Sequence, residues 1–332
     1  SVKPDSCTYV HVLKACSNLR LLDQGKDVHN IINNTGFSLC LHTINSLIDM
    51  YAKCGSLKDA ANLFGNSPKD LVTWNTMITV YVENDQSEDA ILLFYEMNHR
   101  EMKPDHVTYI GVLKACAKLV ALDLGKLVHS LAIEDNLETD ELVLMALINM
   151  YAKCGNIGDA HLILDKSARL GSSPWSAMIG ALAHHSAHES AISYFHEMRN
   201  FGVKPDAATF VSLLSAFSHV GFVADGFFYF QLMQNHYGIS PHLEHFNCLI
   251  DLLGRAECFE EAEDLLEVVP FKRNSVGLIS LLTHCRSYCY TVRGRRLFDY
   301  ITSIEPENAT ASAAYVLMSQ TYAQACMWED AE

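Results

Sequence analysis

Positive charge is what this sequence has little of. It carries 24 Lys and Arg against 39 Asp and Glu, a net charge of −15. Such a chain cannot hold nucleic acid through bulk charge, so any contact of that kind must rest on local cations. Long apolar runs are missing as well. None approaches the roughly 20 residues of a membrane span, and the first residues lack the layout of a signal peptide. The eleven cysteines include no C-x-x-C pair; the nearest two are Cys285 and Cys289. That argues against zinc and for small core thiols in a reducing compartment. There is no G-x-S-x-G, no phosphate-binding glycine loop and no H-E-x-x-H. Alternating strand patterns are absent too, which leaves an all-α chain.

What is there is a repeat. Apolar residues make up 49% of the 332, ample for a core. Val12-Leu13-Lys14-Ala15-Cys16 returns as Val112-Leu113-Lys114-Ala115-Cys116, and the run from Met50 to Gly55 returns unchanged from Met150 to Gly155, each 100 residues on. Lys3-Pro4-Asp5 returns as Lys103-Pro104-Asp105. A fixed period marks stacked units, none of which buries its apolar face alone.

The period divides into pieces of 30 to 36 residues. Ser6 to Cys40 matches His106 to Asp140, Leu41 to Asp70 matches Glu141 to Gly171, and Leu71 to Asp105 matches Ser172 to Asp206. Ala207 to His242, Leu243 to Asn274, Ser275 to Asn308 and a shortened Ala309 to Glu332 follow. Each reads as two helices. In Leu71 to Asp105, Trp74, Met77, Ile78 and Tyr81 form one apolar stripe and Ala90, Leu93, Phe94 and Met97 another. Pro104 stops the second helix. Gly55 and Gly155 suit left-handed caps, and Ser56 with Asp59 suits the start of the next helix. The chain opens inside the end of one piece and closes inside a helical pattern, which predicts a part of a longer protein.

The tetratricopeptide order of Trp, Leu-Gly and Tyr is absent. The chain instead carries VTWNTMI from Val72 to Ile78, MYAKCG, G-K-x-V-H at Gly25 to His29 and Gly125 to His129, and KPD. These closely resemble plant pentatricopeptide repeat proteins of the PLS class, in which P-type, long and short motifs alternate. Glu244-His245-Phe246 with Leu249 to Ala256 resembles the last short motif. Ile304 to Asn308, Tyr315-Val316-Leu317 and Trp328-Glu329 resemble two E-type extension motifs. There are departures: Asp85, Ser186 and Glu257 replace the turn glycine, and Leu278 stands where the extension usually has Trp.

The resemblance implies a right-handed superhelical α-solenoid. It implies residues 1–5 as the end of a preceding repeat, an array over 6–274, a first extension motif over 275–308 and a truncated second over 309–332. It implies binding of single-stranded organellar RNA, one base per repeat, to specify sites of cytidine-to-uridine editing. Small editing cofactor proteins and a deaminase are the implied protein partners. The compartment is the mitochondrion, with the chloroplast as alternative, and no membrane contact is expected.

The resemblance places a base-reading pair at the fifth and last residue of each motif. These are Asn45 with Asp70, Asn75 with Asp105, Ser176 with Asp206, and Asn247 with Asn274. Asn75 lies about 100° round the helix from Trp74, away from the core stripe, and its amide offers both a donor and an acceptor. By the family's pairing rules Asn with Asp matches uridine, Ser with Asp guanosine, and Asn with Asn a pyrimidine. Val10, Ile110 and Val211 at the fifth place of long motifs read weakly, and Met145 with Gly171 departs from a readable pair. The expected target is 5′-N-U-U-N-N-G-N-Y. Asp70, Asp105 and Asp206 also sit where Asp caps a helix, and the two roles are compatible.

The thirteenth residues are Asn18, Lys53, Glu83, Lys118, Lys153, His184, His219 and Arg255. Lys53, Lys118, Lys153 and Arg255 are the candidate phosphate contacts; ordinary surface cations are the plain alternative. Arg293, Arg295 and Arg296 form a second basic cluster. His242-Leu243-Glu244 spells the H-x-E of zinc deaminases, but no paired cysteines follow. No catalytic residue, metal ligand or cofactor is therefore expected. A protein-binding scaffold without RNA contact, favoured by the acidic charge, stays open beside the RNA reading.

Overall fold

The computed structural model describes residues 4–34, 40–167, 171–184, 187–268, 274–304 and 309–327. Within them the chain forms nineteen α-helices and no strand. It divides into two compact units, Ser1–Ile163 and Leu164–Glu332.

The first unit holds α1 (Ser6–Leu19), α2 (Leu22–Asn34), α3 (Leu41–Lys53), α4 (Leu57–Asn66) and α5 (Leu71–Glu83). It continues through α6 (Ser87–His99), α7 (His106–Leu119), α8 (Leu122–Glu134) and α9 (Glu141–Lys153), and α10 (Ile157–Ser167) crosses the division. The second unit holds α11 (Ser173–His184), α12 (His188–Asn200), α13 (Ala207–Val220), α14 (Val223–Asn235) and α15 (Leu243–Arg255). It closes with α16 (Phe259–Val268), α17 (Ser275–Ser287), α18 (Thr291–Ile304) and α19 (Ala309–Gln324).

In the first unit the odd-numbered helices α1 to α9 pack side by side, each on the next. The even helices α2 to α8 wedge between successive odd ones, and among the described residues their backbones stay apart from one another. In the second unit α11, α13, α15, α17 and α19 form the same kind of row, with α12, α14, α16 and α18 outside it. The row of first helices is thus the tighter, inner layer of each stack.

The apolar stripes explain this packing. Trp74, Met77, Ile78, Ala90, Leu93, Phe94 and Met97 are all buried. The G-K-x-V-H and MYAKCG motifs turn out to be one contact. A Cβ on Gly25 would lie 2.3 Å from Met50 Sδ, and one on Gly125 the same distance from Met150 Sδ. A Cβ at either glycine would require the methionine to shift, so glycine suits the close approach of α2 to α3 and of α8 to α9. His29 Nδ1 meets the Tyr51 hydroxyl at 2.7 Å, and His129 meets Tyr151 at 2.8 Å. Lys26 pairs with Asp59 and Lys126 with Asp159, both at 3.6 Å.

Aspartates start the inner helices. Asp5, Asp70, Asp105 and Asp206 each accept the backbone N–H three residues on, from Thr8, Thr73, Thr108 and Thr209. Gly55 and Gly155 hold φ near +80°, at 81° and 76°. Asp85 and Glu257 keep the same left-handed turn without glycine, at φ 58° and 60°. Ser56 stands before α4, and its hydroxyl donates to Asp59 instead of accepting a backbone N–H. Leu278, at the place of the expected Trp, is buried in the cluster around Leu253, Leu281 and Met318. Ser186, Glu305 to Asn308 and Trp328-Glu329 lie outside the described residues.

Candidate nucleic-acid interface

In α5 and α15 the fifth residue lies one turn in, beside the cap of the next inner helix. That places residues about 30 apart in sequence against one another. Asn75 Nδ2 donates to Asp105 Oδ1 at 2.9 Å. Thr108, in the first turn of α7, donates its hydroxyl to Asn75 Oδ1 at 2.6 Å. Asp105 Oδ1 also takes the Thr108 N–H at 2.9 Å. Burial would raise the Asp105 carboxyl; hydrogen bonds from the Thr108 backbone, the Asn75 amide and the Thr108 hydroxyl outweigh it and hold it below the ordinary value. It is a carboxylate at neutral pH.

The other pairs vary this arrangement. Asn45 comes near enough to Asp70 to help hold its carboxyl below the ordinary value, and its own buried Oδ1 has no partner. Thr73, the counterpart of Thr108, gives its hydroxyl to Asp70 Oδ1 at 2.7 Å. Ser176 Oγ lies 2.8 Å from Thr209 Oγ1, while Asp206 Oδ2 accepts the Ser172 hydroxyl at 2.6 Å. Ser176 and Asp206 therefore do not bond each other directly. Asn274 Nδ2 donates to Asn247 Oδ1 at 2.6 Å, and Asn274 Oδ1 accepts Gly277 N–H. Asn75 in the first unit and Ser176 in the second are each only 7% exposed, and Asn45 and Asn247 are half-buried, so within each unit these are covered groups, not a fringe of loose side chains. Val10, Ile110, Met145 and Val211 are half-buried.

The cations are less free than their spacing suggests. Lys53 lies 3.0 Å from Asp49 and Arg255 3.0 Å from Asp251. Lys118 donates to Val82 O and to Asp85, both at 2.6 Å. Among the described residues Lys153 alone of the four has no carboxylate partner. In the first unit Asn18, Lys53 and Glu83 do share one cavity of about 540 Å³, with Arg20 on its wall. The C-terminal ends of α1, α3 and α5, the negative ends of their dipoles, converge there. Arg293 is held by Glu260 and Glu263, and Arg295 by Asp299.

One set of residues escapes the sequence reading. Val72, Val107 and Leu142 in the first unit are 57%, 41% and 53% exposed. Val276 in the second is 60% exposed. Each is the second residue of an inner helix, one turn before the fifth. An apolar side chain beside a polar one can meet the flat face of a base while the other meets its edge. The available signal was an apolar residue off the core stripe, repeated at the same place.

No group of three or more His, Cys, Asp or Glu is placed to hold a metal among the described residues. His245 is buried; its Nδ1 accepts His242 N–H and its Nε2 lies 3.0 Å from Ala207 O. Burial pushes the Cys116, Cys248 and Cys285 thiols up to about 12. Thiols that stay protonated at neutral pH are poor nucleophiles and ligands.

Comparison with known families gives the same architecture. The PPR repeat family matches residues 69–118 and 171–219, and the PPR repeat matches 42–66, 143–172 and 244–269. The chain belongs to the pentatricopeptide repeat family. It is 38% identical over 334 residues to "Pentatricopeptide repeat-containing protein At1g08070, chloroplastic" of Arabidopsis thaliana, covering 99% of this chain and 44% of that one. It is 34% identical over 363 residues to "Pentatricopeptide repeat-containing protein At2g22410, mitochondrial" of the same plant, covering 100% and 53%. This pentatricopeptide chain thus spans about half the length of those relatives. A solved structure with the same fold is the pentatricopeptide repeat protein PPR10 in complex with an 18-nt psaJ RNA element. It has TM-score 0.56 and 17% identity over 100% of this chain and 55% of that one.

Proposed function

We propose that this chain is a sequence-specific single-stranded RNA-binding protein that reads one base per repeat. We further propose that it is of the PLS class, with an array over 6–274, extension motifs over 275–308 and 309–332, and a role in choosing organellar sites of cytidine-to-uridine editing. Small editing cofactor proteins and a deaminase acting from elsewhere would complete that role. Relatives named as chloroplastic and as mitochondrial support an organelle without choosing between the two.

The observation that carries the reading is the hydrogen-bonded meeting of the fifth and last residues, at 2.9 Å for Asn75 with Asp105 and 2.6 Å for Asn247 with Asn274. Asp105 spends Oδ1 on the cap, and Asn75 spends one N–H and its carbonyl. What is left is one amide N–H and Asp105 Oδ2, a donor beside an acceptor. Uracil presents the complement, a carbonyl oxygen beside N3–H. PPR10 was solved with an RNA element, and its fold likeness is consistent with this reading. The exposed Val72, Val107, Leu142 and Val276 would flank bases in the row. Lys153 would meet a phosphate directly, and Lys53, Lys118 and Arg255 by exchanging their present partners.

A protein-binding scaffold is favoured by other observations: the net charge of −15, the paired cations and the 7% exposure of Asn75 and Ser176. A gel-shift titration separates the two. The RNA reading expects 5′-NUUNNGNY to bind at least about tenfold tighter than a scrambled strand, about 1.4 kcal/mol. Equal affinity for both leaves the scaffold.

A further inference from the structure

We propose that base choice in this protein is tuned by whether the residue three places into the following helix clasps the fifth residue's side chain, and that Thr108, which does so, is the specificity-determining residue of the Asn75 module. The inference rests on the RNA reading above and refines it.

The Asn45 and Asn75 modules carry the same pair, Asn with Asp, and so should read alike. Their hydrogen bonding differs. In the Asn75 module the Thr108 hydroxyl sits 2.6 Å from Asn75 Oδ1 and 3.0 Å from Asp105 Oδ1. The amide is held at both ends, its carbonyl by Thr108 and its N–H by Asp105. Turning it over would set the carbonyl against a carboxylate and leave the threonine hydroxyl facing an N–H. In the Asn45 module Thr73 lies 2.7 Å from Asp70 Oδ1, and Asn45 Oδ1 is buried without a partner. That amide is not clasped at both ends as Asn75 is, and it carries an unmet acceptor. The remaining modules extend the point. Thr209 lies 2.8 Å from Ser176 Oγ, and Gly277 brings no hydroxyl to Asn247 at all.

The chemical consequence concerns uracil against cytosine. The two have one shape and inverted polarity at positions 3 and 4: O4 and N3–H in uracil, N4–H₂ and bare N3 in cytosine. An amide locked with its N–H toward the base accepts uracil and repels cytosine. An amide free to turn about its last bond offers its oxygen to the cytosine amino group. The bare N3 of cytosine meets a carboxylate in both modules, so both should prefer uracil, the Asn75 module by the wider margin.

The test uses the whole chain and fluorescence anisotropy with 5′-NUUNNGNY RNA carrying U-to-C changes at the second or third base. The expected cost is roughly tenfold at the third base and about threefold or less at the second. Thr108→Val should bring the third base down to the second's level, and Thr108→Ser should restore it. The readout is a ratio of affinities on folded protein, which a weakened helix cap does not imitate. If Thr108→Val does not fold, the comparison of the two positions in the unaltered chain decides alone. Equal discrimination at both positions, or no change in Thr108→Val, overturns the inference and leaves base reading intact. RNA that binds without preference at either base, or not at all, overturns both.

Discussion

Where a repeat ends in aspartate, that single carboxylate carries more than one task. Asp105 starts α7 and fixes the amide of Asn75 with one oxygen. Asp105→Ala should therefore cost about 1–2 kcal/mol in urea unfolding, the upper range for a lost helix cap, since it strands an amide as well. The buried imidazole of His245 sets a second expectation. Burial holds it below the ordinary 6.5 despite a hydrogen bond to Ala207 that pulls the other way. The unfolded chain then takes up the proton first. Stability from this group is complete above about pH 6.5 and is lost as pH falls toward the lower folded value. Melting temperatures measured from pH 7 to pH 5 should decline, and His245→Asn should flatten that decline while lowering the starting point. An unchanged slope would remove His245 from the account. Sequence spacing located Asn75, since its place off the Trp74 stripe needs only helix geometry. It could not show the Thr108 contact or the capture of Lys118 by Asp85, because those partners lie 33 residues away and meet only through the register of stacked helices.

One helix contact in this protein rests on a close approach that glycine makes possible. At the end of α15 a Cβ on Gly254 would fall 2.4 Å from His284 Cδ2 and 3.0 Å from its Cγ. His284 cannot yield easily, because its Nε2 lies 2.8 Å from Asp251. Asp251 is a hub for three helices, accepting Ser218 from α13, Arg255 from its own helix, and Ser280 and His284 from α17. Burial raises its carboxyl, but those four donors outweigh it and leave it far below the usual carboxylate range. Gly254→Ala should cost about 1–3 kcal/mol by forcing the two helices apart, read as a lower urea midpoint at unchanged slope. Helix pairs, their stripes and their caps were legible in the sequence, since periodicity and Asp-x-x-Thr spacing encode them locally. The joint role of G-K-x-V-H and MYAKCG was not. Each motif reads as a label until Gly125 is seen against Met150 and His129 against Tyr151.

Over the whole chain, an acidic protein can bind an anionic strand only where cations are released to meet it. Three of the four candidate phosphate contacts already hold carboxylates. Each exchange therefore frees an acid as it engages a phosphate. Log affinity should fall with log salt at a slope no steeper than about −3, at about 0.7 per contact. Charge complementarity of this modest size leaves discrimination to the row of paired residues. The claim that this row reads bases is tested most directly by recoding one module. Asn75→Ser, assayed by anisotropy against strands with U or G at the third base, should turn a preference for U into a preference for G with other positions unchanged. A variant that keeps the preference for U, or loses affinity for both strands alike, would contradict the account.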